Sequence, residues 1–260
     1  MSCVLNFSLA QLQRLAITPS QLHNQQILLS AEQQHYLGRV LRLRGGDRFV
    51  AMEPQGQWWL AELISPQSAQ ILEPLPPAQT ELPVEATLMV ALPKGNGFDE
   101  IVRHCTEIGV SYMMPVLSER TLLNPSLQKL ERWRRIAQEA AEQSERQIIP
   151  TIQEVNELTR GLSFVKSSFL KETDRQYICV ARGESPHLLD CLLEEKPQIS
   201  NLKSKIVIAT GPEGGWTPAE VEAAIAAGFQ PVSLGRRILR AVTAPIVALS
   251  LVASAWELKN

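Results

Sequence analysis

The distribution of apolar residues divides the chain beyond Val84 into alternating strands and helices. Short apolar runs predict strands, and apolar residues that recur every three or four positions predict helices. The predicted strands are 86–91, 113–117, 177–180, 206–209 and 231–235, and the predicted helices are 98–108, 127–146, 188–193, 218–227 and 243–258. Because strands that alternate with helices form a mostly parallel sheet covered on both faces, we expect an α/β fold.

The first 74 residues carry a different pattern, with apolar runs at 27–29, 48–52 and 57–64 between tight turns. Short strands without a long helix predict a small β-barrel. The prolines between residues 74 and 83 are dense enough to mark an extended linker. The predicted organisation is a barrel over 1–74, a linker over 75–84 and an α/β domain over 85–260. A proline-rich edge loop within a single domain is the alternative.

The clearest candidate for a ligand site lies in 205–244. The predicted strand 206–209 leads into a glycine loop, 211–215, and a second predicted strand ends at Gly235. If the two strands are parallel, both loops emerge at the carboxyl edge of the sheet, where open α/β folds bind their ligands. Thr217, Pro218 and Glu220 form a capping box that starts the intervening helix. The alternative is that the glycines only end the strands and turn the chain.

The chemistry of this loop limits the ligand. Neither the P-loop nor the dinucleotide-binding fingerprint is present. Glu213 in the middle of the loop would repel a polyphosphate. Glycine lets backbone N–H and C=O groups approach a ligand closely, so we expect a neutral or cationic ligand held by the backbone.

Composition narrows the class of protein without naming a reaction. The 260 residues include 45% hydrophobic and 20% charged residues, with a net charge of −2, as in ordinary globular proteins. No apolar run reaches the roughly 20 residues that span a bilayer, and the N-terminus lacks a basic leader region, so we expect a cytoplasmic protein. The four cysteines and four histidines show no metal-ligand spacing, so we expect no metal.

Two arginine clusters are candidates for contacts with an anionic partner. Arg39, Arg42 and Arg44 crowd the short segment 35–47, and three more arginines fall within 236–240, next to the predicted ligand edge. Arginine binds phosphate bidentately and stacks on bases, which favours RNA. For the first cluster, a solvated face with ordinary salt bridges is the alternative.

Several stretches, in this order, resemble the ribosomal small subunit methyltransferase E family. They are 35–47 (HYLGRVLRLRGGD), 92–95 (LPKG), 106–110 (TEIGV), 118–120 (SER), 132–144, 211–215 (GPEGG) and Leu234-Gly235 with Ile238-Leu239-Arg240. The combination of GPEGG with LG-x-x-[IV]-L-R is specific to this family and its close SPOUT relatives, and the N-terminal motif separates it from those relatives.

The resemblance implies both a fold and a reaction. It implies a PUA-like RNA-binding barrel followed by a SPOUT domain with a parallel sheet and a trefoil knot, assembled as a homodimer. It implies methylation of N3 of a uridine in 16S rRNA, position 1498 in the usual rRNA numbering, with S-adenosyl-L-methionine as methyl donor. The partner would be 16S rRNA or the assembled small ribosomal subunit.

The family's functional residues carry over to matching positions. The implied cofactor-binding residues are Gly211, Pro212, Glu213, Gly214, Gly215, Leu234, Gly235, Ile238 and Leu239. For catalysis, we expect a nearby arginine, Arg237 or Arg240, to stabilise the negative charge that develops on the uracil. The implied RNA-binding residues are Arg14, His35, Arg39, Arg42, Arg44 and Lys94.

The chain departs from the family pattern at three positions. Val242 stands where a glutamate is expected, His104 where a lysine is usual, and Glu145 where a glycine is usual. Three other activities stay open. They are a 2′-O-ribose methyltransferase of the wider SPOUT group, an rRNA-binding assembly factor without catalysis, for which Val242 is the only indication, and a nucleotide hydrolase, which the missing loop lysine disfavours.

Overall fold

The computed structural model describes residues 12–77, 79–122, 125–168, 174–194 and 204–258. They form two compact units. The first contains the described residues up to Glu81 together with 141–149, and the second contains 82–140 and the described residues from Pro150 onward. In the described ranges, no helix has the length and apolar composition needed to cross a membrane.

The first unit is built on a six-stranded, mostly antiparallel sheet. Its elements are β1 (Arg14–Ala16), β2 (Leu22–His23), β3 (Gln26–Leu28), α1 (Ala31–His35), β4 (Arg48–Met52), β5 (Trp58–Ser65) and β6 (Ser68–Pro74). The strand order is β1-β4-β5-β6-β3-β2, and only the β1–β4 pair is parallel. Ile27, Phe49 and Ala61 are completely buried in the core of this unit.

Residues 141–149 belong to this first unit through contacts that the sequence does not indicate. The Glu142 carboxylate accepts a hydrogen bond from the Ala16 N–H at 2.8 Å, and the Gln147 side chain donates to the Gly56 carbonyl at 2.7 Å. Arg146 is 2% exposed and forms an ion pair with Glu81. The partners lie more than 60 residues apart in the sequence, so no local pattern predicts them.

The second unit confirms the expected α/β architecture. Its elements are β7 (Glu85–Ala91), α2 (Gly97–Ile108), β8 (Tyr112–Leu117), α3 (Leu127–Gln143), β9 (Thr151–Ile152), β10 (Asn156–Glu157), α4 (Leu158–Ser168), β11 (Arg175–Cys179), α5 (Leu188–Glu194), β12 (Lys205–Thr210), α6 (Pro218–Ala226), β13 (Gln230–Val232) and α7 (Thr243–Glu257). Every strand pair is parallel, in the order β10-β8-β7-β12-β11-β13, with β9 beside β8.

The central strand β12 is buried on both faces. Ile206 and Ile208 pack in a core with residues of α2, α3, α5 and α7, whereas Val207 and Ala209 pack in a second core with residues of α4 and α6. Side chains alternate between the faces of a strand, so a continuous apolar run is needed where both faces are covered. The sheet is therefore the middle layer of the second unit.

Two predicted elements extend too far. The helix predicted over 127–146 ends at Gln143, because Glu145 adopts a left-handed backbone conformation with φ +58°. The strand predicted over 231–235 is limited to Gln230–Val232, and Gly235 turns the chain with φ +108°. Leu127, expected on the buried side of α3, is 79% exposed.

Helix α4 was not predicted from the sequence. Its segment, LTRGLSFVKSS, contains Gly161 and several residues of modest helix propensity. The glycine is explained by packing, because a Cβ atom there would lie 3.2 Å from Cγ1 of Val116 on β8. Tertiary packing against the sheet thus overrides a weak local preference.

We expect the substitution Gly109→Ala to lower the free energy of unfolding by about 1–3 kcal/mol. Gly109 ends α2 with φ +114°, and an added Cβ would lie 2.8 Å from Cγ of Leu82. Gly95→Ala is the matched control, because Gly95 has φ +65° and no neighbouring atom within 4 Å. Urea denaturation measures the free energy of unfolding of each variant. If this free energy fell by the same amount in both variants, a role for the Leu82 contact would be contradicted.

Candidate active site

Three loops of the second unit lie at one edge of the sheet. Strands β12, β11 and β13 are adjacent and parallel, so the loops that follow them all emerge at the carboxyl edge. The loops after β12 and β13 are the two that the sequence singled out. The loop after β11 follows the strand between β12 and β13, and no motif in the sequence marks it.

These loops enclose a cavity of about 840 Å³. All nine residues carried over as cofactor-binding line it: Gly211, Pro212, Glu213, Gly214, Gly215, Leu234, Gly235, Ile238 and Leu239. Other lining residues were not predicted, among them Arg120, Trp216, Glu222 and the segment from Cys179 to Ser185. The three glycines at 211, 214 and 215 form a motif that is visible in the sequence, whereas the β11 loop contains a single glycine, Gly183, and no recognisable motif.

The glycine loop is compact because two of its glycines accept close neighbours. The Gly215 N–H donates to the Pro212 carbonyl at 2.8 Å, and Gly215 has φ +67°. A Cβ on Gly214 would lie 3.0 Å from Cδ of Arg120, and a Cβ on Gly211 would lie 3.3 Å from the indole of Trp216. Larger residues would push these side chains away from the cavity wall.

Side chains connect the glycine loop to the loops that follow β7 and β8. Oε1 of Glu213 accepts the Lys94 N–H at 3.0 Å. Nη1 of Arg120 donates to the Gly214 carbonyl at 2.6 Å. Each of these bonds joins a side chain to a backbone group, so the position of the loop is set by its neighbours in the sheet.

The capping box at the start of α6 is confirmed and has a second role. The Thr217 hydroxyl accepts the Glu220 N–H at 3.3 Å, and Oε2 of Glu220 accepts the Thr217 N–H at 2.8 Å. Oε1 of Glu220 accepts the N–H of Glu119, in the loop after β8, at 2.8 Å. One carboxylate therefore caps a helix and also fixes the residue next to Arg120.

The arginines after β13 differ in their positions. Arg237 lines the cavity, whereas Arg236 and Arg240 are exposed and do not line it. Within the described ranges, none of the three guanidinium groups has an ion-pair partner. Val242 is half-buried, and its Cγ2 would lie 2.9 Å from a Cβ on Gly97. An apolar contact thus occupies the position where the resemblance predicts a carboxylate.

The thiol in the cavity wall is held protonated. Burial raises the pKa of Cys179 to about 12, because an apolar environment disfavours the thiolate. The thiolate is the nucleophilic form of cysteine. A covalent mechanism through Cys179 is therefore disfavoured, and the cavity instead presents backbone groups, Glu213, Glu222 and guanidinium groups.

The predicted RNA-binding residues differ in their exposure and in the unit to which they belong. His35, Arg39, Arg42 and Arg44 are exposed, on α1 and the segment after it in the first unit. Arg14 is mostly buried, with a side chain 11% exposed, and pairs with Glu145 at 2.8 Å, so its guanidinium is already engaged. Lys94 is exposed in the second unit, in the loop after β7.

Family models match both units. Residues 80–253 match an RNA methyltransferase domain, and residues 29–73 match an RNA methyltransferase PUA domain. The fold and the cavity at its carboxyl edge are therefore those of an RNA methyltransferase with a PUA-like N-terminal domain.

Comparison with individual proteins identifies the family of RNA methyltransferases to which the chain belongs. "Ribosomal RNA small subunit methyltransferase E" of Synechocystis is 50% identical to this chain, and the match covers 94% of this chain and 78% of the relative. The protein of the same name from Bacillus subtilis is 30% identical, and the match covers 88% of this chain and 90% of the relative. The crystal structure of the Neisseria gonorrhoeae enzyme of this name, bound to S-adenosyl methionine, has a TM-score of 0.80 and 28% identity over 95% of this chain and 98% of its own. The chain belongs to the ribosomal RNA small subunit methyltransferase E family.

We expect the reaction of native Cys179 with iodoacetamide to stay slow between about pH 8 and about pH 10, because the raised pKa moves thiolate formation to higher pH. In the chain unfolded in urea, the rate should rise with a midpoint near the ordinary thiol pKa of 9.0. Peptide mapping by mass spectrometry measures the labelling of each cysteine. A midpoint near 9 in the native protein would contradict this prediction.

Proposed function

We propose that this protein transfers a methyl group from S-adenosyl-L-methionine to N3 of a uridine in 16S rRNA, the position numbered 1498. The observation that carries the proposal is the cavity at the carboxyl edge of β12, β11 and β13, in a chain of this family. The proposed RNA-binding arginines belong to the first unit, and the proposed methyl transfer takes place in the second unit.

The residues of the cavity suit this methyl donor. The cavity wall contains three glutamates, at 184, 213 and 222, beside three arginines, at 120, 182 and 237, and no lysine, so no excess of positive charge opposes the cationic sulfonium. The bare backbone at Gly211, Gly214 and Gly215 offers N–H and C=O groups to an adenosine. Nε1 of Trp216 is a buried donor without a hydrogen-bond partner in the cavity wall, and a polar ligand group would satisfy it. When bound, the cofactor supplies an electrophilic methyl group.

The arginines after β13 have a proposed electrostatic role. Uridine N3 carries a proton at neutral pH, so the site must favour the anionic base. A guanidinium that has no carboxylate partner is free to stabilise negative charge that develops on the uracil. Arg237 and Arg240 satisfy this condition, and Arg237 also reaches the cavity wall. Because N3 is engaged in base pairs, the target must be unpaired or extruded.

The exposed arginines of the first unit are proposed to bind the RNA backbone. Arg39, Arg42 and Arg44 have no ion-pair partners in the described part of the chain, so binding them to phosphate breaks no existing salt bridge. His35, which is exposed in the same unit, would add to this contact, and Lys94 is proposed as a separate RNA contact of the second unit. Arg14 would contribute only if its pair with Glu145 opened.

Membership of the family also supports proposals about assembly. We propose a cytoplasmic homodimer whose second unit contains a trefoil knot. The strand order supports a non-sequential chain path, because β11 lies between β12 and β13. Light scattering of the purified protein tests the dimer directly.

The decisive experiment is to incubate labelled S-adenosylmethionine with small ribosomal subunits that lack the modification. Nucleoside analysis should then recover the label as a base-methylated uridine, with N3 as the modified atom. Label on the ribose would favour the 2′-O-methyltransferase instead. Cofactor binding in isothermal titration without any transfer to RNA would favour the assembly factor.

Replacing Arg237 or Arg240 by alanine should lower kcat by about 10²-fold or more, with little change in the Kd of the cofactor, because charge stabilisation acts in the transition state. Arg236→Ala is the matched control, since Arg236 is exposed and does not line the cavity. Single-turnover assays on small subunits measure the effect. Unchanged turnover in a variant would remove that arginine from the mechanism.

Replacing Arg42 by alanine should weaken RNA binding and reduce the slope of log K against log salt by about 1, because one phosphate contact is lost. Arg48→Ala in the same unit is the control, since Arg48 already pairs with Glu62 at 3.3 Å. Binding is measured by filter retention at several salt concentrations. An unaltered slope for the Arg42 variant would count against the contact.

A further inference from the structure

The carboxylates in the cavity wall are not equivalent. Glu213 accepts the Lys94 N–H at 3.0 Å, so one of its oxygens is committed to the loop after β7. Glu222 also lines the cavity, but its carboxylate has no hydrogen-bond or ion-pair partner among the described residues. If only charge mattered, Glu213 and Glu222 would have the same role in the cavity. The hydrogen bond to the Lys94 N–H is made by Glu213 alone of the two and therefore distinguishes them.

The bond from Glu213 completes a set of links that holds the glycine loop from two sides. Arg120 binds the Gly214 carbonyl, and Glu220 binds the Glu119 N–H, so the loop after β8 is tied to 211–220. Glu213 supplies the tie to the loop after β7, and among the described residues no other side-chain hydrogen bond joins the glycine loop to that loop. Without it, the segment from Gly211 to Gly214 would lose its attachment on that side.

We propose that Glu213 is a positioning residue: its carboxylate fixes the glycine loop to the Lys94 N–H, so that the backbone of the loop is preorganised for the cofactor. Its negative charge is not what binds the sulfonium. This inference rests on the proposed function, because it concerns how the same cavity holds S-adenosylmethionine. Preorganisation raises affinity by removing the cost of ordering the loop on binding.

The variant Glu213→Gln separates positioning of the glycine loop from electrostatic attraction to the sulfonium. In Glu213→Gln the amide oxygen still accepts a backbone N–H, whereas the charge is lost. In Glu213→Ala both are lost. We therefore expect isothermal titration with S-adenosylmethionine to give a Kd within about threefold of wild type for Glu213→Gln and at least about tenfold weaker for Glu213→Ala.

A second ligand sharpens the test. S-adenosylhomocysteine has a neutral thioether in place of the sulfonium. If Glu213 acts by positioning, Glu213→Ala weakens the binding of both ligands by the same factor. Binding by charge would instead weaken S-adenosylmethionine selectively in both variants.

Two control variants complete the design. Glu154→Ala removes an exposed carboxylate of the second unit that does not line the cavity, and Lys166→Ala removes an exposed ammonium group of the second unit that does not line it either. Both should bind the two ligands within about twofold of wild type. Thermal unfolding checks that each variant is folded. If Glu213→Ala is not folded, the Kd of Glu213→Gln relative to wild type still shows whether the charge of Glu213 is needed for binding.

The outcomes are distinct. Equal losses in Glu213→Gln and Glu213→Ala, or an unchanged Kd in Glu213→Ala, would overturn the inference. Failure of the wild-type protein to bind S-adenosylmethionine would overturn the proposed function instead.

Discussion

The parallel register of β12 with its two neighbours is the constraint on which the rest of the second unit depends. β12 pairs with β7 through six residues and with β11 through four, always in the same direction. Parallel pairing sends the carboxyl ends of all these strands to one edge. The glycine loop, the β11 loop and the arginines after β13 therefore meet, although they lie up to about 60 residues apart in the chain.

The shape of the glycine loop is a property of several chain segments. Its glycines leave room for Arg120 and Trp216, and the carboxylates at 213 and 220 accept N–H groups from the loops after β7 and β8. Glycine by itself increases the conformational freedom of a loop. The surrounding side chains remove that freedom, which allows a backbone-lined cavity to keep a defined form.

The sequence predicts the parts of this arrangement that depend on local chemistry. The β-branched run 206–209, the capping box at Thr217 and the turn glycine Gly235 each have a cause within a few residues. The return of 141–149 to the first unit depends on contacts with distant segments, such as Ala16 and Glu81, and has no local signal. Arg120 and the β11 loop reach the cavity only because β8 and β11 take particular places in the sheet. Helix α4 was missed because Gly161 lowers its local preference and packing restores it.

The protonated state of Cys179 has a consequence for oxidative damage. Peroxides attack the thiolate, and the first product, a sulfenic acid, would enlarge and polarise the side chain. A thiol whose pKa is raised to about 12 by burial presents almost no thiolate at neutral pH. Oxidation at Cys179 is therefore expected to be slower than at an ordinary exposed thiol, which would protect this part of the cavity wall.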